Sequence, residues 1–308
     1  MTTILVTGAS GFVGRRFVKR WKNDYHLLLP SHSELNICSE ASVSAYFHTH
    51  RPDVVLHLAA LSNTGYCEQH PDESFEVNVL GTQRLAENAA KCAAKFIFFS
   101  SDQIYNGNWE EGPLSEDMPV APENHYGKHK LEAEQRMMQA NAEAVALRAT
   151  WMYDADNPEF PPHADFTTNF ARAIAEGTPL RFATREYRGI TWVAEVVENL
   201  PHTFSLPGGV YNFGAENHLN TYQTACRYFK MLQCRLPLSE IVLADTERFP
   251  EHIRNISISN QKITQASAGA IRFSNTLEGL KEMLANSALA PREKSPAKLA
   301  TAQKKSTL

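Results

Sequence analysis

Short runs dominated by apolar residues recur along the first half of the chain, at Ile4–Thr7, His26–Leu29, Val54–Leu58, Phe96–Phe99 and Ala144–Leu147. Runs of this length without polar alternation predict strands buried on both faces of a parallel sheet. Between them lie longer stretches in which apolar and polar residues intermix, at Phe12–Lys22, Glu40–His50, Asp72–Lys91 and Tyr126–Gln139. These predict helices. A βαβα alternation of this kind specifies a doubly wound α/β sheet with parallel strands. Right-handed crossovers then place the loops that follow the strands along one rim, where ligands of such sheets bind.

After Trp151 the rhythm loosens. Asn157–Pro162 reads as a loop, Asp165–Glu176 as a helix ended by Gly177, and Val210–Phe213 as a strand after the turn Pro207-Gly208-Gly209. The pattern predicts a dinucleotide-binding domain over 1–155 and a smaller, mixed substrate lobe over 156–286. Part of 179–205 is expected to return to the main sheet. Residues 287–308 are rich in Ala, Lys, Ser and Pro, lack an apolar stripe and carry surplus positive charge. They read as a disordered basic tail.

Composition narrows the function classes. The 308 residues are 43% hydrophobic and 21% charged, with a formal charge of -4. That balance leaves no footprint for nucleic acid or a membrane surface, and no apolar run reaches the ~18 residues of a membrane span. The apolar stretch at Ile4–Val6 runs straight into a glycine turn with no basic segment before it, so no signal peptide is expected. The five cysteines, Cys38, Cys67, Cys92, Cys226 and Cys234, include no C-x-x-C pair. Neither a disulfide framework nor a zinc site is expected, and a cytoplasmic setting fits.

Candidate chemistry begins at Thr7-Gly8-Ala9-Ser10-Gly11-Phe12-Val13-Gly14, between the first strand and the first helix. Glycines there permit a tight turn and close backbone approach to a pyrophosphate, and the helix N-terminus offers free N–H groups. Gly8, Ser10, Gly11, Phe12 and Val13 are the expected cofactor contacts. An acid at the end of the second strand would bind the ribose of NAD. That strand ends instead in Leu29-Pro30-Ser31-His32-Ser33, with Glu34 slightly late. Ser31, His32 and Ser33, with charge from Arg15 or Arg16, suit a 2′-phosphate, which favours NADP over NAD.

A second group stands about a hundred residues on. Tyr126 and Lys130 are i and i+4 on a predicted helix and share a face. A lysine cation about 5 Å from a phenol would lower its pKa by roughly two units at an effective dielectric of ~20. Ser101 follows the strand Phe96–Phe99 and so belongs on the ligand rim. Such a group can move a proton to or from a hydroxyl or carbonyl.

These residues together resemble the extended short-chain dehydrogenase/reductase family over about residues 2–286. Thr7–Gly14 resembles its cofactor loop, and Asp53–Ala60 the strand and turn beside the cofactor, which adds Leu58, Ala59 and Ala60 to the expected cofactor contacts. Asn78 resembles its structural asparagine, and Ser101, Tyr126 and Lys130 its catalytic trio, the last two also touching cofactor. Four stretches are similar to the dTDP-4-dehydrorhamnose reductases and the regulatory β subunits of methionine adenosyltransferase: Cys67-Glu68 with Pro71, Ser100–Tyr105, Arg148–Tyr153, and Arg254–Ile258 with Lys262. The resemblance implies a Rossmann-type fold and NAD(P)H-dependent reduction of a keto group on a nucleotide-linked deoxysugar. Gln103, where the reductases carry an aromatic residue, and Trp151 are the expected substrate contacts. His252-Ile253 stands where they carry Arg-Pro. Asp102-Gln103 lacks the acid pair of the sugar-nucleotide dehydratases, which excludes dehydration. A sugar-nucleotide epimerase and a non-catalytic NADP-binding subunit remain as alternatives. The implied partner is a small-molecule substrate, a sugar nucleotide, and a homodimer is compatible with the reading; nothing calls for nucleic acid, membrane or metal.

Overall fold

Five of the six strands of the parallel sheet at the centre of the molecule form where the apolar runs predict them. The computed structural model describes residues 1–155, 159–161 and 163–286. The tail expected over 287–308 lies outside the described residues, as do 156–158 and 162 of the loop expected at Asn157–Pro162.

The strands are β1 Thr3–Thr7, β2 His26–Leu28, β3 Val54–His57, β4 Lys95–Ser101, β5 Val145–Ala149, β6 Trp151–Tyr153, β7 Leu180–Ala183, β8 Glu186–Arg188, β9 Ile190–Trp192, β10 Gly209–Phe213, β11 Val242–Asp245 and β12 Arg254–Ile256. The main sheet has the order β10-β5-β4-β3-β1-β2. The strand order reverses between β1 and β3, and the crevice above that point is the ligand position of such sheets.

Both sheet faces are covered, which explains the unbroken apolar runs. On one face Ile4, Val6, Leu56, Ile97 and Val145 pack against Phe17 of the helix Phe12–Trp21 and Val196 of the helix Val193–Asn199. On the other, Leu5, Val55, Phe96, Phe98 and Ala146 meet Val43, Leu85, Ala89, Ala133 and Met137. The helix expected over Asp72–Lys91 is broken into Pro71–Phe75, a π-helical turn at Glu76–Leu80, and Gly81–Lys91. The turn carries Asn78, which explains the interruption. Asn78 Oδ1 accepts from the Leu61 N–H at 2.9 Å, and Nδ2 donates to the Leu61 carbonyl at 2.9 Å, which pins the loop after β3.

The expected return of part of 179–205 to the main sheet is made by a helix packed on one of its faces, and no strand of the segment joins the sheet. β7 pairs with β11, β8 with β12 and β9 with β6, in three separate two-stranded sheets. These strands are only three or four residues long and find partners outside the main sheet. The segment returns as the helix Val193–Asn199, packed beside the helix Phe12–Trp21, and it is β10 that extends the main sheet alongside β5. A separate core of Tyr153, Phe166, Phe170, Tyr228, Phe229 and Leu280 holds the smaller lobe together. No helix among the described residues is long and apolar enough to cross a membrane.

Candidate active site

A cleft of about 970 Å³ opens above the carboxyl ends of the central strands and is lined from both halves of the chain. Its floor is the turn after β1. Gly8 has φ +72°, and a Cβ there would stand 2.6 Å from the Ala59 backbone nitrogen. At Gly14 a Cβ would stand 2.3 Å from the Gly8 carbonyl oxygen. Both glycines therefore serve close packing of turn, helix and neighbouring strand. At Gly11 a Cβ would meet only the Gly8 carbonyl oxygen, at 3.2 Å. Gly11 caps the helix without a side-chain hydrogen bond, and the first turn contains no acid. The early N–H groups are thus open to an anion. Gly8, Gly11, Phe12, Val13, Leu58 and Ala60 line the cleft, and a dinucleotide pyrophosphate fits this cradle. Ser10 is exposed on its edge, and the Ala59 N–H faces the Thr7 hydroxyl at 3.4 Å.

The second half of the chain reaches back to this turn. Arg16 donates to Asp154 Oδ2 at 2.6 Å, and Phe12 stacks on His163 with ring centroids 4.2 Å apart. Arg16 is therefore committed to a carboxylate, whereas Arg15 donates to the Ser10 carbonyl and pairs with no carboxylate among the described residues. Ser31 and His32 lie on an exposed turn outside the cleft. There the Ser31 N–H and hydroxyl both donate to Glu34 Oε2, at 2.7 and 2.8 Å. The turn thus brings the late acid back to the end of β2.

Ser101, Tyr126 and Lys130 converge in the cleft as the spacing predicts. Ser101 ends β4 and begins the 3₁₀ turn Asp102–Tyr105, where its hydroxyl oxygen accepts from the Gln103 N–H at 3.1 Å. The helix His125–Ala140 is capped by Asn124, whose Oδ1 accepts from the Gly127 N–H at 2.7 Å. Gly127 lets the helix approach the turn, since a Cβ there would lie 2.4 Å from the Gln103 carbonyl oxygen. Tyr126 and Lys130 are 8% and 2% exposed. The Lys130 ammonium donates to the Phe99 carbonyl at 2.8 Å and lies 5.7 Å from the Tyr126 ring centroid.

Burial dominates the electrostatics of this pair and reverses the expected tuning. It pushes the Tyr126 phenol well above its ordinary value, against a hydrogen bond from Ser101 that acts the other way. It also drives Lys130 down to about 7, while the Glu134 carboxylate opposes that fall. The simple Coulomb attraction between cation and phenolate omitted the cost of removing both charges from water. A phenol held protonated in this way has a proton to donate.

Opposite the trio stand residues from the smaller lobe. Arg188 of β8 pairs with the buried Asp102 at 3.3 Å, and its guanidinium lies 5.2 Å from the Trp151 ring. The Arg188 Nε is buried without an acceptor among the described residues. Arg254 of β12 pairs with Glu186 and donates to the Gln103 side-chain carbonyl at 3.1 Å. That carbonyl also accepts from Asn124 at 3.3 Å, so Gln103 bridges the smaller lobe to the cap of the Tyr126 helix. Gln103 and Trp151 both line the cleft. Asp102 sits above its ordinary value because burial outweighs the two arginines. The roles of Asn124, Arg181, Arg188 and Arg248 in lining or shaping this cleft have no local sequence signature.

The family model of the RmlD substrate binding domain matches residues 1–289. The chain is 30% identical over 237 residues to the methionine adenosyltransferase 2 subunit beta of Xenopus laevis, which spans 72% of this chain and 70% of that protein. It is 24% identical over 290 residues to the dTDP-4-dehydrorhamnose reductase of Aggregatibacter actinomycetemcomitans, over 86% of this chain and 93% of that one. The fold is shared with the crystal structure of the Bacillus anthracis dTDP-4-dehydrorhamnose reductase in complex with NADP. The TM-score is 0.80 at 19% identity, over 92% of this chain and 99% of that chain.

Proposed function

Since the chain belongs to the RmlD substrate binding domain family, we propose that it is an NAD(P)H-dependent reductase of a keto group on a nucleotide-linked deoxysugar, of the dTDP-4-dehydrorhamnose type. The observation that carries this reading is the meeting of Ser101, Tyr126 and Lys130 with the glycine cradle in one cleft. Residues 1–155 would hold the cofactor and 156–286 the substrate. NAD(P)H, when bound, supplies the hydride. The Ser101 hydroxyl would orient the substrate carbonyl. Tyr126, kept protonated by its burial, would donate its proton to the carbonyl oxygen. Lys130, with its ammonium beside the Phe99 carbonyl, would hold the ribose and compensate the phenolate left behind.

The test is consumption of NAD(P)H against dTDP-4-dehydrorhamnose, other keto-sugar nucleotides and simple ketones. Turnover is expected with the sugar nucleotide. Trp151→Ala should raise KM for it by roughly tenfold through lost ring contact, with cofactor affinity unchanged. An unmoved KM together with equal turnover of simple ketones would remove the sugar nucleotide from the reading. The similarity to the methionine adenosyltransferase subunit favours one other reading, a cofactor-binding subunit without turnover. Tight cofactor binding with no reduction of any carbonyl on the panel would select it.

For the cofactor we propose a modest preference for NADPH. The Ser31 and Ser33 hydroxyls, His32 and an Arg15 that pairs with no carboxylate among the described residues favour a 2′-phosphate, and Glu34 opposes it. Calorimetry should give the lower Kd for NADPH, and Glu34→Gln should widen the gap. A lower Kd for NADH would make Glu34 the ribose ligand instead.

A further inference from the structure

The helix that carries Tyr126 and Lys130 also buries His129 and, further along, Glu134. Glu134 lies one turn beyond Lys130 and two beyond Tyr126, a spacing that keeps all three in one stripe. It is 2% exposed. Its Oε2 accepts from Arg148 Nη2 at 2.8 Å, and Arg148 Nε reaches both carboxylate oxygens at 3.2 Å. The Ser100 hydroxyl donates to Oε1 at 2.6 Å. Ser100 and Arg148 are register partners on β4 and β5, and Ser100 is the residue before Ser101. Arg148 Nη1 donates to the Tyr105 hydroxyl at 2.9 Å, which donates in turn to Asn212 Oδ1 on β10 at 2.8 Å.

A buried ion pair is a weak source of net stability compared with apolar residues of the same volume, and its best-attested use is to fix register. Here the register is that of a helix against the strand whose end faces it. We propose that Glu134 is a positioning residue for proton transfer: clamped by Arg148 and Ser100, its carboxylate fixes the roll of the Tyr126–Lys130 helix over the strand end that carries Ser101, and presents a negative charge to the Lys130 ammonium. The proposal rests on the reductase reading above.

Few groups face Lys130. Glu134 on its own helix favours its charged form, and Cys67 faces it from the segment after β3. Tyr126 lies one turn away, and His57 at the end of β3 is held neutral, its pKa driven to about 3 by burial and by Lys130 itself. Glu134 in turn faces Arg148, Ser100 and Lys130. Removing the Glu134 charge therefore lowers the pH at which Lys130 loses its proton, and the Arg148 cation left uncompensated pushes the same way. Turnover that needs the ammonium should then fail at lower pH on the alkaline side.

The variant is Glu134→Gln, which keeps the shape and loses the charge. With dTDP-4-dehydrorhamnose as probe, kcat should fall roughly tenfold. KM and the cofactor Kd should stay within about threefold, and the alkaline limb of kcat should move down by about one pH unit. The same shift should appear in the titration of Lys130 followed by ¹³C-lysine NMR on the full chain without substrate. That measurement stands even if wild type fails to reduce the probe. If Glu134→Gln does not fold, the double variant Glu134→Leu with Arg148→Met replaces the pair with apolar groups and is read in the same way. A uniform loss of activity with an unmoved limb and an unmoved Lys130 midpoint overturns the proposal, as does wild-type kcat and midpoint in the double variant.

Discussion

Tyr126→Phe is expected to bind NAD(P)H as wild type does and to lose about 100- to 10,000-fold in kcat, the range that a positioned general acid contributes. The substitution removes one oxygen and keeps the ring. The ring is 8% exposed and sits in the first turn of a helix capped by Asn124, so the fold has little reason to respond. What disappears is the phenolic donor of the trio. Ser101 remains, but its hydroxyl already interacts with Asp102 Oδ1 at 3.3 Å, and it is far too weak an acid to replace a phenol. Because burial raises the Tyr126 pKa, the phenol stays protonated across neutral pH. Reduction in wild type should therefore be insensitive to Tyr126 titration there, while the reverse oxidation, which needs the phenolate, should accelerate as pH rises. Steady-state kinetics in both directions, with cofactor Kd from fluorescence, check these expectations. A Tyr126→Phe variant that keeps kcat within tenfold of wild type would assign the proton to another group.

Much of this arrangement is legible in the amino-acid sequence itself. β1, β3 and β4 announce themselves because both faces of the sheet are covered, so Ile4, Leu5 and Val6 must all be apolar although they point in alternate directions. The helical spacing of Tyr126 and Lys130 and the strand-end place of Ser101 are local properties, and local properties survive folding. The rest is not local. Arg188 meets Asp102 across 86 residues and Arg254 meets Gln103 across 151. Each comes from a strand of three residues, too short to show a period. The π-helical turn at Asn78 sits inside what reads as continuous helix, and its tie to the distant Leu61 backbone has no local sign. Glu34 reads as late in register because distance along the chain hides a turn that brings its carboxylate back to Ser31. The direction of the Tyr126 shift failed for a different reason: spacing gives the distance between two charges, and only the fold gives the cost of burying them.

The cradle supplies the second large effect, and its three glycines are not equivalent. Gly8 and Gly14 are closed by the protein itself, with a new Cβ falling 2.6 and 2.3 Å from backbone atoms. Gly14→Ala should therefore destabilise the whole fold, by about 1–3 kcal/mol for a forced backbone shift in a packed region. Gly11 is exposed, has extended backbone angles of φ -77° and ψ -179°, and would bring a Cβ no closer than 3.2 Å to a single carbonyl oxygen. A side chain there crowds only that one backbone oxygen, which would have to give by a few tenths of an ångström. The space in front of Gly11, at the uncapped start of the helix Phe12–Trp21, is where a pyrophosphate would meet the free N–H groups. Gly11→Val should accordingly fold and melt like wild type, yet bind NAD(P)H at least about 100-fold more weakly, since the branched side chain displaces the phosphates from their donors and the loss exceeds that of a single charge-assisted hydrogen bond. The contrast matters more than either variant alone: Gly14→Ala loses stability, whereas Gly11→Val loses affinity without losing stability. Thermal melts and calorimetric titration of both variants separate the two effects. Unchanged affinity in a well-folded Gly11→Val protein would mean that the dinucleotide does not lie across this helix N-terminus, and the cofactor would have to be sought elsewhere in the cleft.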